Sequence, residues 1–331
     1  MALTTLALLA AACGGGGDGA STAPSTTPAS VATTVATSPP TTAPASRLDA
    51  TTLSWSLPAP RSREVALVDR SSLVVLGGQD AAHASVADVY RIDPGPGTTT
   101  NEARLDPAVH DAAGVQLGDD SVVIAGGTPP ARATVQAVAT GRPTRALGDL
   151  PVARTDHVAA LLDGTIFVLG GGDASEVTLD SVVASPDGAT WSDAGTLVEG
   201  VRYPAIAVVD GAIYLFGGAR ASGPDTVSVQ RYDPKTHTTE VVARLPAPLS
   251  HASAVVLGGQ VWVLGGYVND TPSQQILRFD PTTRAISAAG SLPAAVTDAA
   301  AVTTDPTTGY LVGGEGPGRT TTAAVVVLRA H

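Results

Sequence analysis

LVVLGG (residues 73–78), VVIAGG (122–127), IFVLGG (166–171), IYLFGG (213–218), VWVLGG (261–266) and GYLVGG (309–314) are six versions of one phrase. Each is an apolar run that stops on two glycines. The pairs begin at Gly77, Gly126, Gly170, Gly217, Gly265 and Gly313, at intervals of 49, 44, 47, 48 and 48 residues. A glycine pair lets backbone turn, or approach other backbone, where a Cβ would clash.

Each unit carries more than its glycines. A stretch of small residues comes first: AAG from Ala112, HVAA from His157, HASA from His251, DAAA from Asp298. A tight turn follows, such as Asp163-Gly164, Asp210-Gly211 or Gly258-Gly259, dipeptides suited to hairpins with positive φ. After the glycines a variable loop leads to a third apolar run: VYRIDP from Val89, QRYDP from Gln230, LRFDP from Leu277. A fourth run ends near Leu105, Leu150, Leu197, Leu245 and Leu292. Four short strands repeated at this period predict an all-β, six-bladed β-propeller. The small residues belong on the strand nearest the axis, where six chains crowd together.

The pattern resembles the kelch repeat: four apolar residues, a double glycine, an aromatic on the third strand and a tryptophan on the fourth. Tyr90, Tyr232 and Phe279 match the aromatic, and Trp191 and Trp55 the tryptophan. The second and sixth units lack both. The last unit ends at VVVLRAH, a third strand with no fourth after it. LSWSLP, residues 53–58, reads as that missing strand. The N-terminal strand is therefore expected to close the sixth blade, Leu53–Leu57 pairing near Val325–Leu328, which removes an exposed sheet edge.

Upstream, Leu3 to Ala12 is a short apolar run with small residues just before Cys13. It is too short to span a bilayer and has the layout of a secretory signal. Ending on cysteine, it resembles a bacterial lipoprotein signal, which implies lipidation of Cys13. The alternative is an ordinary secretory signal. Residues 14–52, rich in Gly, Ser, Thr, Pro and Ala, read as an extended tether with too little apolar bulk to fold. The expected division is a signal over 1–13, a tether over 14–52 and a propeller over 53–331. The protein is expected outside the cytoplasm, held to the membrane by a lipid.

Composition narrows the function. Net charge is −11 with 19 Lys and Arg, and Lys235 is the sole lysine, so no basic stripe invites nucleic acid. Cys13 is the sole cysteine, so the propeller has no disulfide and no thiol nucleophile. The thioether-linked copper site of galactose-oxidase-like kelch proteins is excluded for the same reason. A zinc site would need His and carboxylate ligands alone; no cofactor is expected. SPDGATW, residues 185–191, resembles the Asp-box of sialidase-type propellers but is one residue short, and reads as a turn between third and fourth strands.

Propellers work through loops at one mouth of the central channel. Aligned on the small-residue strand, the entry positions read Glu64, Asp111, His157, Tyr203, His251 and Asp298, preceded by Arg63, His110, Asp156, Arg202, Ser250 and Thr297. This predicts a ring of polar groups of alternating sign. The candidate ligand residues are Arg63, Asp111, His157, Arg202, Tyr203, His251 and Asp298. Arginines there suit a carboxylate, and His157 with Asp156 or Asp111 suits acid–base work. The competing reading is structural: Arg and His recur here in many kelch repeats as inter-blade hydrogen bonders, and Arg61 and Arg154 read as such struts. Arg202 and Tyr203 depart from the acid/His pattern, so a purely structural repeat does not require them. No catalytic constellation stands beyond generic kelch positions. The reading is a non-catalytic lipoprotein binding an extracytoplasmic protein or glycan on its loop face. The alternative, by resemblance to kelch-type sugar-acid epimerases, is an extracytoplasmic carbohydrate-active enzyme. Converging carboxylates and a histidine in a pocket would favour chemistry; a flat, open rim would favour binding.

Overall fold

The computed structural model describes residues 44–331 apart from 128 and 129. The signal, Cys13 and most of the tether lie outside the described residues. Among the described residues there are six four-stranded antiparallel sheets. The first contains Val65–Asp69, Ser72–Leu76, Asp88–Ile92 and Thr99–Arg104, hydrogen-bonded in that order. The next four begin at Ala113–Leu117, Val158–Leu162, Ala205–Val209 and Ser253–Leu257. Each is a blade, and the first strands of successive blades contact one another around a central axis.

The sixth blade is built from both ends of the chain. Ala300–Asp305, Thr308–Val312 and Val325–Ala330 supply three strands, and the fourth is Leu48–Thr52. The closing strand therefore comes from the N-terminus as expected, but five residues earlier than Leu53–Leu57. Its register runs from Leu48 opposite Ala330 to Thr52 opposite Val326. The reason is the apolar pattern: Leu48 is buried in the core between blades five and six, while the Trp55 segment leaves the sheet. Leu53 and Leu57 still donate backbone hydrogen bonds to Val325 and Ala323. Trp55 packs over Gly97 of blade one, where any Cβ would strike its ring.

The core is spread over six layers, one between each pair of blades. Phe216, Tyr214 and Leu249 meet Phe279 and Val263 between blades four and five. Trp262 is fully buried between five and six, its Nε1 donating to Leu257 O at 3.0 Å. Leu57, Leu73 and Ile92 meet Tyr310 and Val325 across the closure. Each such side chain contributes about 1.5–3 kcal/mol by leaving water.

The glycine pairs stitch these layers. The second glycine donates its N–H to a carbonyl at the entry of the next blade: Gly78 to Val109 and Gly171 to Val201 at 2.8 Å, Gly218 to Leu249 at 2.7 Å, Gly266 to Val296 and Gly314 to Arg61 at 2.8 Å. The last of these spans the closure, so five of the six blade junctions carry the bond. A Cβ on Gly77 would stand 2.6 Å from the oxygen of Val109, and one on Gly170 equally close to that of Val201. Blade two departs from the phrase. There Ala125 (φ 50°) and Gly126 (φ 101°) take the conformations of the pair, and the strand bulges between Ile124 and Gly126. The pair therefore starts at Ala125, one residue before the Gly126 read from sequence. That shift evens out the 49- and 44-residue intervals.

Candidate functional site at the channel mouth

At each blade entry one residue has positive φ: Arg63, Asp111, Asp156, Tyr203, His251 and Asp298. Its N–H donates to the carbonyl of its counterpart in the preceding blade. The distances are 3.2 Å from Asp111 to Arg63, 3.0 Å from Asp156 to Asp111 and 2.8 Å from Tyr203 to Asp156. They continue at 3.0 Å from His251 to Tyr203, 3.0 Å from Asp298 to His251 and 2.9 Å from Arg63 to Asp298. Six bonds form a closed ring around the axis. The ring settles the alignment of the entries. In blades one and three it passes through Arg63 and Asp156, not through Glu64 and His157.

The six ring side chains line one cavity of about 120 Å³ at the mouth, above a channel of about 420 Å³ walled by the first strands. Arg63 is the hub. Its Nη1 donates to Asp111 at 3.0 and 3.2 Å and, across the axis, to the Tyr203 hydroxyl at 3.2 Å. Its Nε donates to Glu315 at 3.3 Å, and Asp298 lies 3.6 Å from Nη2. Burial opposes the Arg63 charge, but Asp111, Asp298, Tyr203 and Glu315 together raise its pKa. Arg202 donates through Nε to Asp156 at 2.5 Å and pairs with it again through Nη2. The Tyr203 ring stacks on His251 with centroids 3.8 Å apart, and Tyr267 meets His251 edge-on at 5.2 Å. His251 Nδ1 lies 2.7 Å from Asp298 Oδ1.

The mouth is layered by charge, not alternating around the ring. Side-chain exposure is 21% for Arg202, 15% for His251 and 11% for Arg63, against 0% for Asp156, 2% for Asp298 and 4% for Asp111. Carboxylates lie beneath; guanidinium groups and rings face outward. Burial pushes the Asp111 carboxyl up to about 7, with Arg63 opposing and Asp156 and Asp298 adding to the rise. Burial also acts to raise Asp298, but His251, Arg63 and Thr297 hold it below the ordinary value. Burial, then Asp111 and Asp156, raises the Tyr203 phenol, so it stays protonated.

All seven sequence candidates come together here, in unequal roles. Arg63, Asp111, Tyr203, His251 and Asp298 line the cavity, and Arg202 sits on Asp156 at its edge. His157 reaches the wall, but both its ring nitrogens are buried without a well-formed hydrogen bond. Burial, then Arg154, pushes its pKa down to about 3. It forms no acid–base pair with Asp156 or Asp111; its imidazole is inter-blade packing. Arg154 and Arg61 are struts as read, donating to Gly170 O at 3.1 Å and Gly77 O at 2.9 Å. The expectation that Arg202 and Tyr203 are dispensable to the repeat fails. Arg202 is the counter-charge of a fully buried carboxylate, and Tyr203 receives the cross-axis bond. Losing Arg202 would strand Asp156, a cost of about 3 kcal/mol or more. Sequence reading passed over Asp156 as a ring member because its neighbour His157 occupied the expected column. Among the described residues no group of three or more His, Cys, Asp or Glu is arranged to hold a metal ion.

The comparisons agree with this geometry. The kelch motif model matches residues 201–246 and 248–285, the span of blades four and five. A solved structure titled "Structure of YjhT" superposes with a TM-score of 0.73 at 14% identity, covering 83% of this chain and 99% of that one. At that identity the likeness is one of fold. No curated protein matches the sequence. The chain is a six-bladed β-propeller with the closure and glycine stitching described above, and its fourth and fifth blades match the kelch motif.

Proposed function

We propose that the protein is a binding module displayed outside the membrane, anchored through lipidated Cys13 and a Thr/Pro-rich tether, that captures a protein or glycan on its mouth face. One observation carries the reading. The ionisable groups at the mouth are engaged with one another and fixed by the backbone ring, so they form a rigid plate and not a set of poised reactants. Its outward layer of Arg63, Arg202, Tyr203, His251 and Tyr267 offers N–H donors and aromatic faces, the chemistry of recognition hot spots. Loops at 79–86, 172–179, 219–226, 267–274 and 315–323 rim the plate.

A second reading, a carbohydrate-active enzyme, draws on one feature. His251 is paired through Nδ1 with Asp298 at the half-open cavity, a histidine–carboxylate dyad of the kind that serves acid–base chemistry. The test uses full-length protein on glycan arrays and on envelope proteins. Tyr267→Ala with Arg319→Ala removes exposed rim groups while Glu315 keeps Arg63 and Ser62. Binding should fall at least about tenfold with the melting temperature unchanged. Retained binding would move the site elsewhere, and ligand turnover lost in His251→Gln would favour the enzyme. Cys13→Ala should shift the protein to the aqueous phase of a detergent partition; a wild-type chain already in that phase would count against the anchor.

A further inference from the structure

One contact on the mouth face joins a loop serine to this network. Ser85 lies at an exposed position in the loop after the first glycine pair. Its Oγ is 2.7 Å from Nδ1 of buried His110, the residue before the ring position of blade two. Beyond that imidazole, Nε2 lies 3.6 Å from Oδ2 of Asp111. The equivalents of His110 in the other blades are Ser62, Thr155, Arg202, Ser250 and Thr297, so the repeat does not call for a histidine here.

We propose that Ser85, His110 and Asp111 form a nucleophilic site that cleaves short-chain carboxylic esters. Ser85 attacks, His110 carries the proton and Asp111 orients the imidazole. The order follows from the distances. Ser85 can donate its hydroxyl proton to Nδ1 only when the imidazole proton sits on Nε2, the nitrogen facing Asp111. At 3.6 Å, and with both its oxygens accepting from Arg63, Asp111 acts on the imidazole through its charge, without a direct hydrogen bond. Burial, then Arg63, holds His110 below its ordinary pKa, with Asp156 acting the other way, so the ring is uncharged at neutral pH.

An anion-stabilising donor is also present. The flanking ladder bonds run from Asp80 N–H to Ala84 O at 3.0 Å and from Val86 N–H to Gly78 O at 2.9 Å. The N–H of Ser85 between them takes no part in the pairing with Gln79 and adjoins its own Oγ, where an oxyanion would form. Ala81, Ala82 and Ala84 flank the serine, small and exposed, with no walled pocket for a long acyl chain.

The steps balance. Oγ bonds to the ester carbonyl carbon as its proton passes to Nδ1 of His110. The bond to the leaving alkoxide breaks, and His110 returns the proton to that oxygen. Water then attacks the acyl-Ser85, giving its proton to His110, and the carboxylic acid leaves as Oγ recovers the proton. This inference goes beyond the binding reading and does not depend on it.

The test uses the full-length chain with p-nitrophenyl acetate and a fluorophosphonate probe, read by mass spectrometry. The adduct should map to Ser85. Ser85→Ala should lose it and slow acetate release by about 100-fold or more, with the circular dichroism of the folded chain retained, although the melt falls somewhat as buried His110 loses the Ser85 hydroxyl. His110→Gln should slow labelling of Ser85 to a similar degree. If His110→Gln does not fold, Ser85→Ala decides alone. An absence of adduct on wild-type Ser85, or hydrolysis unchanged in Ser85→Ala, would overturn the proposal and leave Ser85 as a pin holding one loop to blade two.

Discussion

Ala125 is the residue where the repeat is least at ease. It holds φ 50°, a left-handed conformation in which an L side chain is strained by about 1 kcal/mol, and it does so where the other blades have glycine. Ala125→Gly should therefore raise stability by about 1 kcal/mol, read as a higher denaturation midpoint at constant m-value; a lower midpoint would mean that the Ala125 methyl group packs usefully. Glu64 carries a different strain. Both its carboxylate oxygens are buried without a well-formed hydrogen bond at the seam between blades six and one, and burial pushes its pKa from 4.5 up to about 8, with its own backbone N–H, Arg61 and the Ala300 N–H opposing. The folded state thus holds a proton that the unfolded state releases, and stability falls as pH rises from about 4.5 through about 8. Glu64→Gln should escape this loss, so its melting temperature should gain on the wild type across that window. A difference that stays flat with pH would show that Glu64 is not titrating in the fold.

At the scale of elements, the blades were legible because glycine, hairpin and small-residue signals recur with a physical need behind each. Gly78 and Gly171 must admit a neighbouring carbonyl; only glycine does so without displacement. The same logic explains the misses. Blade two has three small residues in a row, Ala125, Gly126 and Gly127, and the glycine rule picked the wrong two. The entry alignment slipped in blades one and three because Glu64 and His157 stand where the other blades have Ala112, Pro204, Ala252 and Ala299. Ring membership is set by backbone conformation, which side-chain type reports poorly. The closing strand starts five residues before the Trp55 segment because LDATT, though its alternation is weak, buries Leu48 between blades five and six. Ser85 and His110 lie 25 residues apart in sequence, and only the blade-to-blade contact brings them together. The closure has a direct consequence. Deleting residues 44–52 should lower the melting temperature sharply, because it exposes the edge of Val325–Ala330 and uncovers the layer containing Leu48 and Trp262. Removing residues 21–40 should change it little. Equal effects would contradict the strand assignment.

For the whole molecule, two sets of backbone bonds do separate work. Glycine N–H groups join blade to blade around the body, and the six-residue ring locks the mouth. Between them the propeller fixes Arg63, Tyr203 and His251 in one arrangement through backbone and side-chain bonds, the pre-organisation that recognition rewards. The opposite face is built from hairpins such as Asp69-Arg70 and Asp163-Gly164, which present tight turns and no comparable plate. The most direct measurement is hydrogen exchange of the full-length protein, alone and with the envelope fraction of the cells that make it. The account predicts slowed exchange confined to the rim loops at 79–86, 172–179, 219–226, 267–274 and 315–323. Protection at the hairpins around 69–72, 163–165 and 210–212, or no protection anywhere, would contradict it.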